Sequence, residues 1–515
     1  MADGERYRKG DHLTLMITDL AEEGAGVGHA ADGFTFFVKD AIPGDTVDAT
    51  VMKVKSRYGY AHLDAIREAS EDRIEAPCPS ARACGGCQLQ VCDYKAELAW
   101  KERHVRQTLG RIGKVEEDAL REIMRPICGA DPDRIYRYRN KAQLPVAVGR
   151  DGKPVAGFYA ARTHSVIPVE DCLLGDGSFG RIRQMIMEHI ETHRIPAYDE
   201  KTGTGVLRHI LVRRGHHSGQ ISVTLVINRE KEGPADRLFP GVDELAECLF
   251  DGIPGLTSLS LNLNPAQTNV ILGRKLLPVR GPLCIEDSMC GLRFRISPLS
   301  FYQVNTEQAE RLYRQAMEFA DLTGSETVID LYCGIGTITL LAAQHAAYVI
   351  GVEIVPEAIE DAKGNAALNG ITNVEFRVGK AEEALPALVG QGVSADVLIV
   401  DPPRAGLDPA CIEAIRMLAP KHIVYVSCNP ATLARDVELL ADDSRDGAAS
   451  YRLDAARPSD LFARTCHVEV CSLLIRTRPT GTENSDTGHL SDGTGKDLST
   501  GSGNELFRGR ITGER

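Results

Sequence analysis

Cys428 stands in Val424-Tyr-Val-Ser-Cys-Asn-Pro430, just past an apolar run with strand character. A cysteine at the C-terminal edge of a parallel sheet is placed to attack as a thiolate, although most cysteines are simply buried apolar groups. Two carboxylates have similar settings. Asp401 opens Asp401-Pro-Pro-Arg404 after another apolar run, and the two prolines stiffen that loop. Glu469 closes His467-Val-Glu469 before the run Val470–Ile475. A thiolate beside a carboxylate suits addition to an electron-poor carbon followed by proton removal.

A glycine-bearing turn accompanies them. Asp330-Leu-Tyr-Cys-Gly-Ile-Gly-Thr337 ends one strand and opens a helix, with Gly334 and Gly336 free to turn sharply beside a ligand. Glu353 ends the next strand, where doubly wound folds bind ribose hydroxyls. The spacing matches neither the dinucleotide G-x-G-x-x-G nor a phosphate-binding G-x-x-x-x-G-K-[ST]. S-adenosylmethionine (SAM) is therefore the expected ligand. Where amine-directed methyltransferases carry an aromatic after the two prolines, this chain has Arg404. That argues against an amine acceptor and leaves carbon open.

A third constellation is Cys78-x5-Cys84-Gly-Gly-Cys87, with Cys172, Cys92 and Cys128 as rival fourth thiols. Four thiolates suit zinc or an iron–sulfur cluster. The five-residue gap is wider than zinc knuckles prefer and favours iron–sulfur. The stretch Arg134-Ile-Tyr-Arg-Tyr-Arg-Asn-Lys141 interleaves four cations with two tyrosines, a pattern for RNA or for a functional interior role.

Elements must hold these groups in place. The chain has 515 residues, 25% charged and 43% hydrophobic, with a net charge of −13. This excludes a histone-like basic surface but not a local basic stripe. No run reaches the ~18–20 apolar residues of a membrane helix, and no secretory h-region is evident, so a cytoplasmic protein is expected. Fourteen cysteines in such a chain read as ligands or nucleophiles rather than disulfides. Residues 1–68 show short strands in period two, a small all-β, OB-like barrel, with Lys53, Lys55, Arg57, Tyr58 and Tyr60 as a candidate RNA face. This segment resembles the TRAM domain of RNA-modifying enzymes. Residues 75–290 read as an α+β central domain holding the cysteines, with a helical pattern over 94–111 and a helical stretch of about 94–125 that could pack on the catalytic part. In 291–478, strands alternate with helices, predicting a parallel, Rossmann-like α/β domain. Residues 479–515 are polar and expected to be a disordered tail.

Uracil explains why a thiol would be wanted. C5 of uracil is too weak a nucleophile to take a methyl group directly. Thiolate addition at C6 makes C5 carbanion-like, and a base must then remove the C5 proton so that the cysteine can leave. With Tyr138-Arg-Asn-Lys141, Phe301-Tyr-Gln-Val-Asn305 and Ser427-Cys-Asn-Pro430 added in order, the chain closely resembles the RNA (uracil-5-)-methyltransferase family over residues 8–478. The resemblance implies Cys428 as nucleophile and Glu469 as base. It implies a SAM site of Gln303, Tyr332, Glu353 and Asp401, shaped by Gly334 and Gly336. It also implies a [4Fe–4S] cluster on Cys78, Cys84, Cys87 and Cys172. Members with the cluster and a TRAM domain resemble the 23S rRNA enzymes, so protein-free or early-assembly 23S rRNA is the expected partner of a monomeric enzyme. The alternative is tRNA. A radical iron–sulfur enzyme is remote, because that class resembles C-x3-C-x2-C.

Overall fold

The computed structural model describes residues 7–443 and 448–478; the tail 479–515 lies outside them. Alternation in the first strand puts Leu15 and Ile17 inside and their neighbours out, and Phe36, Val47 and Val51 meet them. The result is a closed barrel in the order His12–Leu20, Gly26–His29, Thr35–Val38, Tyr58–Glu68, Thr46–Val54. Closure removes the free edges that such short strands would otherwise expose.

The helix Tyr94–Arg111 starts where the Asp93 carboxylate accepts from Lys95 N. Its Val105 and Leu109 pack with Ile329, Leu331 and Leu398 of the C-terminal sheet. The middle of the chain forms a seven-stranded mixed sheet, in the order 275–280, 256–263, 221–227, 207–214, 141–148, 154–159, 166–168. Helices Ser178–Thr192 and Val242–Gly252 pack against it through Ile182, Ile186, Leu245 and Leu249. The hairpin Ile285–Met289 and Leu292–Ile296 turns at residues 290–291, and its apolar face packs with helix Thr306–Ala320.

The C-terminal sheet carries the site. Its order is Val374–Val378, Tyr348–Glu353, Thr327–Leu331, Val397–Val400, His422–Ser427, Glu469–Arg478, Ser450–Ser459. The first five strands are parallel and the last two run antiparallel to their neighbours. Chain order reverses at Thr327–Leu331, which makes the C-terminal ends of the parallel strands the ligand-binding edge. Ser427 pairs with Val470, so the start of the last antiparallel strand reaches the same edge. Cys428 and Glu469 are thereby neighbours although 41 residues apart in sequence.

One loop, 460–468, is tied to every part of the molecule around it. Lys101, fully buried, donates to Glu97 Oε1 (2.7 Å) and to Asp460 Oδ1 (2.6 Å). Burial opposes its charge, but the two carboxylates outweigh burial and hold its pKa above the ordinary value. Tyr94 Oη donates to Asp460 Oδ2, Tyr138 Oη to Ala463 O, and Asn305 Nδ2 to Leu461 O. Arg464 has φ +69° and its guanidinium lies 5.3 Å from the Tyr94 and Tyr136 rings. Its carbonyl accepts from Gln88 N and Leu89 N. We expect Lys101→Met, which strands two buried carboxylates, to destabilise the protein by about 3–5 kcal/mol. Denaturant unfolding checks this, and an unchanged midpoint would contradict it.

Candidate active site

Cys428 is half-buried at the end of strand His422–Ser427, one residue before the Asn429 cap of helix Pro430–Ala441. Asn429 Oδ1 accepts from Ala431 N, while its Nδ2 donates to Arg404 O (3.2 Å). The Cys428 turn is thus pinned to the Asp401-Pro-Pro-Arg404 turn. The thiol is pushed up to about 11 by burial, then by Glu469 and Asp401, with Arg404 opposing. The adjacent helix N-terminus also favours the thiolate. Glu469 is buried and pushed up to about 8 by burial and by Asp401, again opposed by Arg404. Asp401 is raised to about 7 by burial.

A cavity of 340 Å³ opens onto Cys428. Glu22 and Glu23 of the barrel, Gln88 of the cysteine-rich stretch, His104, Arg404 and His467 line it. Segments distant in sequence thus wall one pocket on the scale of a small-ligand site. Arg404 Nη2 lies 3.3 Å from His467 Nδ1. Burial, then Arg404, push His467 down to about 4, so the ring is neutral and accepts from the guanidinium.

Next to it lies the glycine turn. Gly336 has φ +85° and caps the short helix Thr337–Ala343; a Cβ there would crowd Ala362 and Phe376 at 3.3 Å. Glu353 accepts from Gly334 N (3.2 Å) and Val355 N (2.9 Å), leaving lone pairs for ribose hydroxyls. Tyr332 is half-buried at φ +67°, with its hydroxyl 4.0 Å from Cys411 Sγ. Gln303 is buried and its carbonyl accepts from Asn140 Nδ2 (2.8 Å). Asp330 is buried; its Oδ2 accepts from Thr339 Oγ1 (2.6 Å), whereas Oδ1 has no partner. Burial holds this carboxyl up at about 7. An unanswered buried acceptor beside a left-handed glycine turn fits a ligand bearing an ammonium group.

Two residues here escape sequence reasoning. The buried Tyr313 hydroxyl is flanked by the Gln303 and Thr337 side chains and by Asp401 and Glu469, which with burial push its pKa up. Tyr313 shares a helix face with Ala309, Leu312 and Ala316, so its position reads as core. Asp330 opens the glycine motif but carried no assigned role.

Cys78, Cys84, Cys87 and Cys172 line one cavity of 260 Å³. Gly85 N donates to Tyr159 O, and a Cβ on Gly85 would stand 2.9 Å from Ala161 N, so the cysteine loop can lie against the central sheet only with glycine there. Of the rival thiols, Cys92 is buried with Leu89 and Trp100, and Cys128 lines a separate cavity with Arg311 and Arg457. Of the three, Cys172 alone shares the cavity of Cys78, Cys84 and Cys87. Among the described residues, no three His, Cys, Asp or Glu side chains converge as a single metal ion requires.

The family model described as tRNA (Uracil-5-)-methyltransferase matches residues 266–477, and the TRAM domain matches 6–63. An uncharacterized RNA methyltransferase of Halalkalibacterium halodurans is 45% identical over 466 residues, covering 90% of this chain and 97% of that protein. The chain belongs to the uracil-5 RNA methyltransferase family. A second uncharacterized RNA methyltransferase, from Listeria monocytogenes, is 42% identical over 91% of this chain and 98% of its own. The solved Pyrococcus abyssi tRNA (uracil-54, C5)-methyltransferase in complex with S-adenosyl-L-homocysteine shares 25% identity at a TM-score of 0.68, covering 90% of this chain and 99% of that one. The protein is a SAM-dependent RNA methyltransferase with a TRAM barrel. Among the described residues, no helix is long and apolar enough to cross a membrane.

Site electrostatics predict a chemical signature. Iodoacetamide alkylation of Cys428, followed at its own peptide by mass spectrometry, should rise with pH towards about 11. Arg404→Gln should slow it at pH 8 and Glu469→Gln should speed it, tenfold for each pH unit by which the thiol moves. Equal rates in all three proteins would contradict this picture.

Proposed function

We propose that the protein methylates C5 of a uridine in 23S rRNA. The observation that carries the chemistry is the convergence of Cys428, Glu469 and Asp401 on one sheet edge, beside a cavity that can take a base. Cys428 adds to C6 of a uracil flipped into that cavity, which makes C5 nucleophilic. SAM supplies the electrophilic methyl group. Glu469 then takes the C5 proton and Cys428 leaves by elimination, giving 5-methyluridine.

Gln303, Tyr332, Glu353 and Asp401, shaped by Gly334 and Gly336, hold the methyl donor, and the unpaired Oδ1 of Asp330 joins them. Asp401 then faces a cation, which relieves its repulsion of the thiolate. Arg404 opposes the upward push on both the Cys428 thiol and the Glu469 carboxyl.

Cys78, Cys84, Cys87 and Cys172 hold a [4Fe–4S] cluster in this reading. The donor set is four thiols on one cavity with no fifth candidate ligand on its wall. A cluster spreads its thiolates over several irons, so it does not need the tight convergence of a single ion. Methyl transfer needs no electron, and the cluster would anchor the cysteine stretch whose Gln88 walls the catalytic cavity.

A second reading, tRNA as substrate, is favoured by the Pyrococcus abyssi enzyme, which matches 90% of this chain. That coverage takes in nearly all described residues, so a barrel ahead of the catalytic domain does not separate the two substrates. The reading expects a cytoplasmic, monomeric enzyme.

The test is methyl transfer from labelled SAM to protein-free 23S rRNA and to tRNA, each from a strain lacking this enzyme, with nucleoside analysis. Label as 5-methyluridine in rRNA alone is expected, and label in tRNA alone overturns the substrate. Cys428→Ala should lower turnover by at least about 10³-fold. Glu469→Gln should lower it by about 10²–10⁴-fold. Retained turnover in Cys428→Ala would overturn the mechanism.

A further inference from the structure

The basic stretch 134–141 is divided between exposed ion pairs and buried contacts. Arg134 lies 3.4 Å from Glu307, Arg137 pairs with Asp171 at 2.5 Å, and Asn140 binds Gln303 O and Thr306 Oγ1. Arg139 and Lys141 instead line the four-cysteine cavity, with Gln143 continuing the alternation along the strand. Lys141 stands directly opposite Arg213 in the ladder between 141–148 and 207–214. Like charges facing each other across strands are destabilising.

Arg139 lies 5.9 Å from the centre of the Phe462 ring, but no acidic group answers these charges. Among the described residues, no carboxylate pairs with Arg139, Lys141 or Arg213. Arg213 is 2% exposed; its Nη2 donates to Ser300 O, while Nε and Nη1 have no partner. Arg139 Nε is also buried and unpartnered. Burial, then Arg213 and Arg139, push Lys141 down to about 8. The contrast is Lys101, which is equally enclosed but held by two carboxylates. A cavity wall that carries Arg139 and Lys141 and no carboxylate, with Arg213 facing Lys141 from the neighbouring strand, suits an anionic guest.

We propose that Arg139 and Lys141 are the counter-charge of the thiolate-bound iron–sulfur cluster on Cys78, Cys84, Cys87 and Cys172, and that Lys141 tunes its reduction potential. The inference rests on the cluster reading above. A cluster carried by four thiolates is net negative, and one-electron reduction adds a further negative charge. A nearby cation therefore stabilises the reduced form more than the oxidised one, and removing it lowers the potential.

The test uses the full chain isolated without oxygen. Iron and acid-labile sulfide are counted first. Dithionite, the electron donor, then reduces the cluster by one electron in a redox titration followed by EPR. Lys141→Met should keep the iron and sulfide, shift the midpoint to a more negative value and lose iron to a chelator faster. Lys141→Arg should restore both. In the cluster-free chain the sign reverses: Lys141→Met should raise Tm, because it relieves the repulsion from Arg213. Full cluster content with equal midpoints overturns the proposal and leaves the cluster reading intact. An unchanged midpoint with a salt slope of RNA binding reduced by about one means the guest is an RNA phosphate, which also overturns it. A wild-type chain without iron and sulfide overturns the cluster and its counter-charge together.

Discussion

No solvent reaches the ammonium of Lys101, so its charge must be answered by protein groups. Glu97, one turn back on the same helix, and Asp460, far along the chain, answer it together. Such a triad contributes little net stability compared with an apolar core, but breaking it is expensive. Its effect here is geometric. Asp460 begins the loop that runs to His467 and directly into Glu469, so the charge fixed on the first helix also fixes the entrance to the last sheet strands. Glu97 Oε1 accepts from Arg464 N, and the Arg464 carbonyl receives Gln88 and Leu89. Helix, catalytic loop and cysteine-rich stretch therefore meet at one junction, and the walls of the Cys428 cavity are drawn from all three.

Within that frame, acidic groups are crowded deliberately close. Asp401, Glu469 and the Cys428 thiol rise to about 7, 8 and 11. Each opposes ionisation of the next, and Arg404 is the cation that relieves both Glu469 and Cys428. Environments that push neighbouring pKa values apart assign acid and base roles. A cationic methyl donor seated beside Asp401, as proposed above, would complete the balance and favour the thiolate.

Much of this was legible in the sequence, for physical reasons. The strands Val397–Val400 and His422–Ser427 are nearly continuous apolar runs because the middle of a parallel sheet is buried on both faces, whereas the edge strand Val374–Val378 carries Glu375 and Arg377. The helix Tyr94–Arg111 carries its own start and stop signals. Gly334, Gly336, Asp401 and Cys428 stand at strand ends, where topology alone gathers them on one edge. Spacing could not choose among Cys172, Cys92 and Cys128, since that choice depends on how the central sheet meets the cysteine loop. Lys101, Tyr313 and Asp330 were illegible as a set, because a lysine in a charged helix and a tyrosine on an apolar face look ordinary until distant partners arrive. The basic stretch 134–141 read as an RNA face or an interior element; the partners that divide it, Glu307 and Asp171 for the exposed Arg134 and Arg137 and Gln303 for the buried Asn140, come from elsewhere in the chain.

The central claim is covalent catalysis by Cys428, and the most direct measurement is capture of the adduct. Substrate RNA carrying 5-fluorouridine at the target offers no C5 proton for Glu469 to remove, so elimination stops after methyl transfer. The account predicts a denaturant-stable, SAM-dependent protein–RNA complex whose cross-linked peptide contains Cys428. No complex with an RNA that the enzyme otherwise methylates, or attachment through another cysteine, would contradict it.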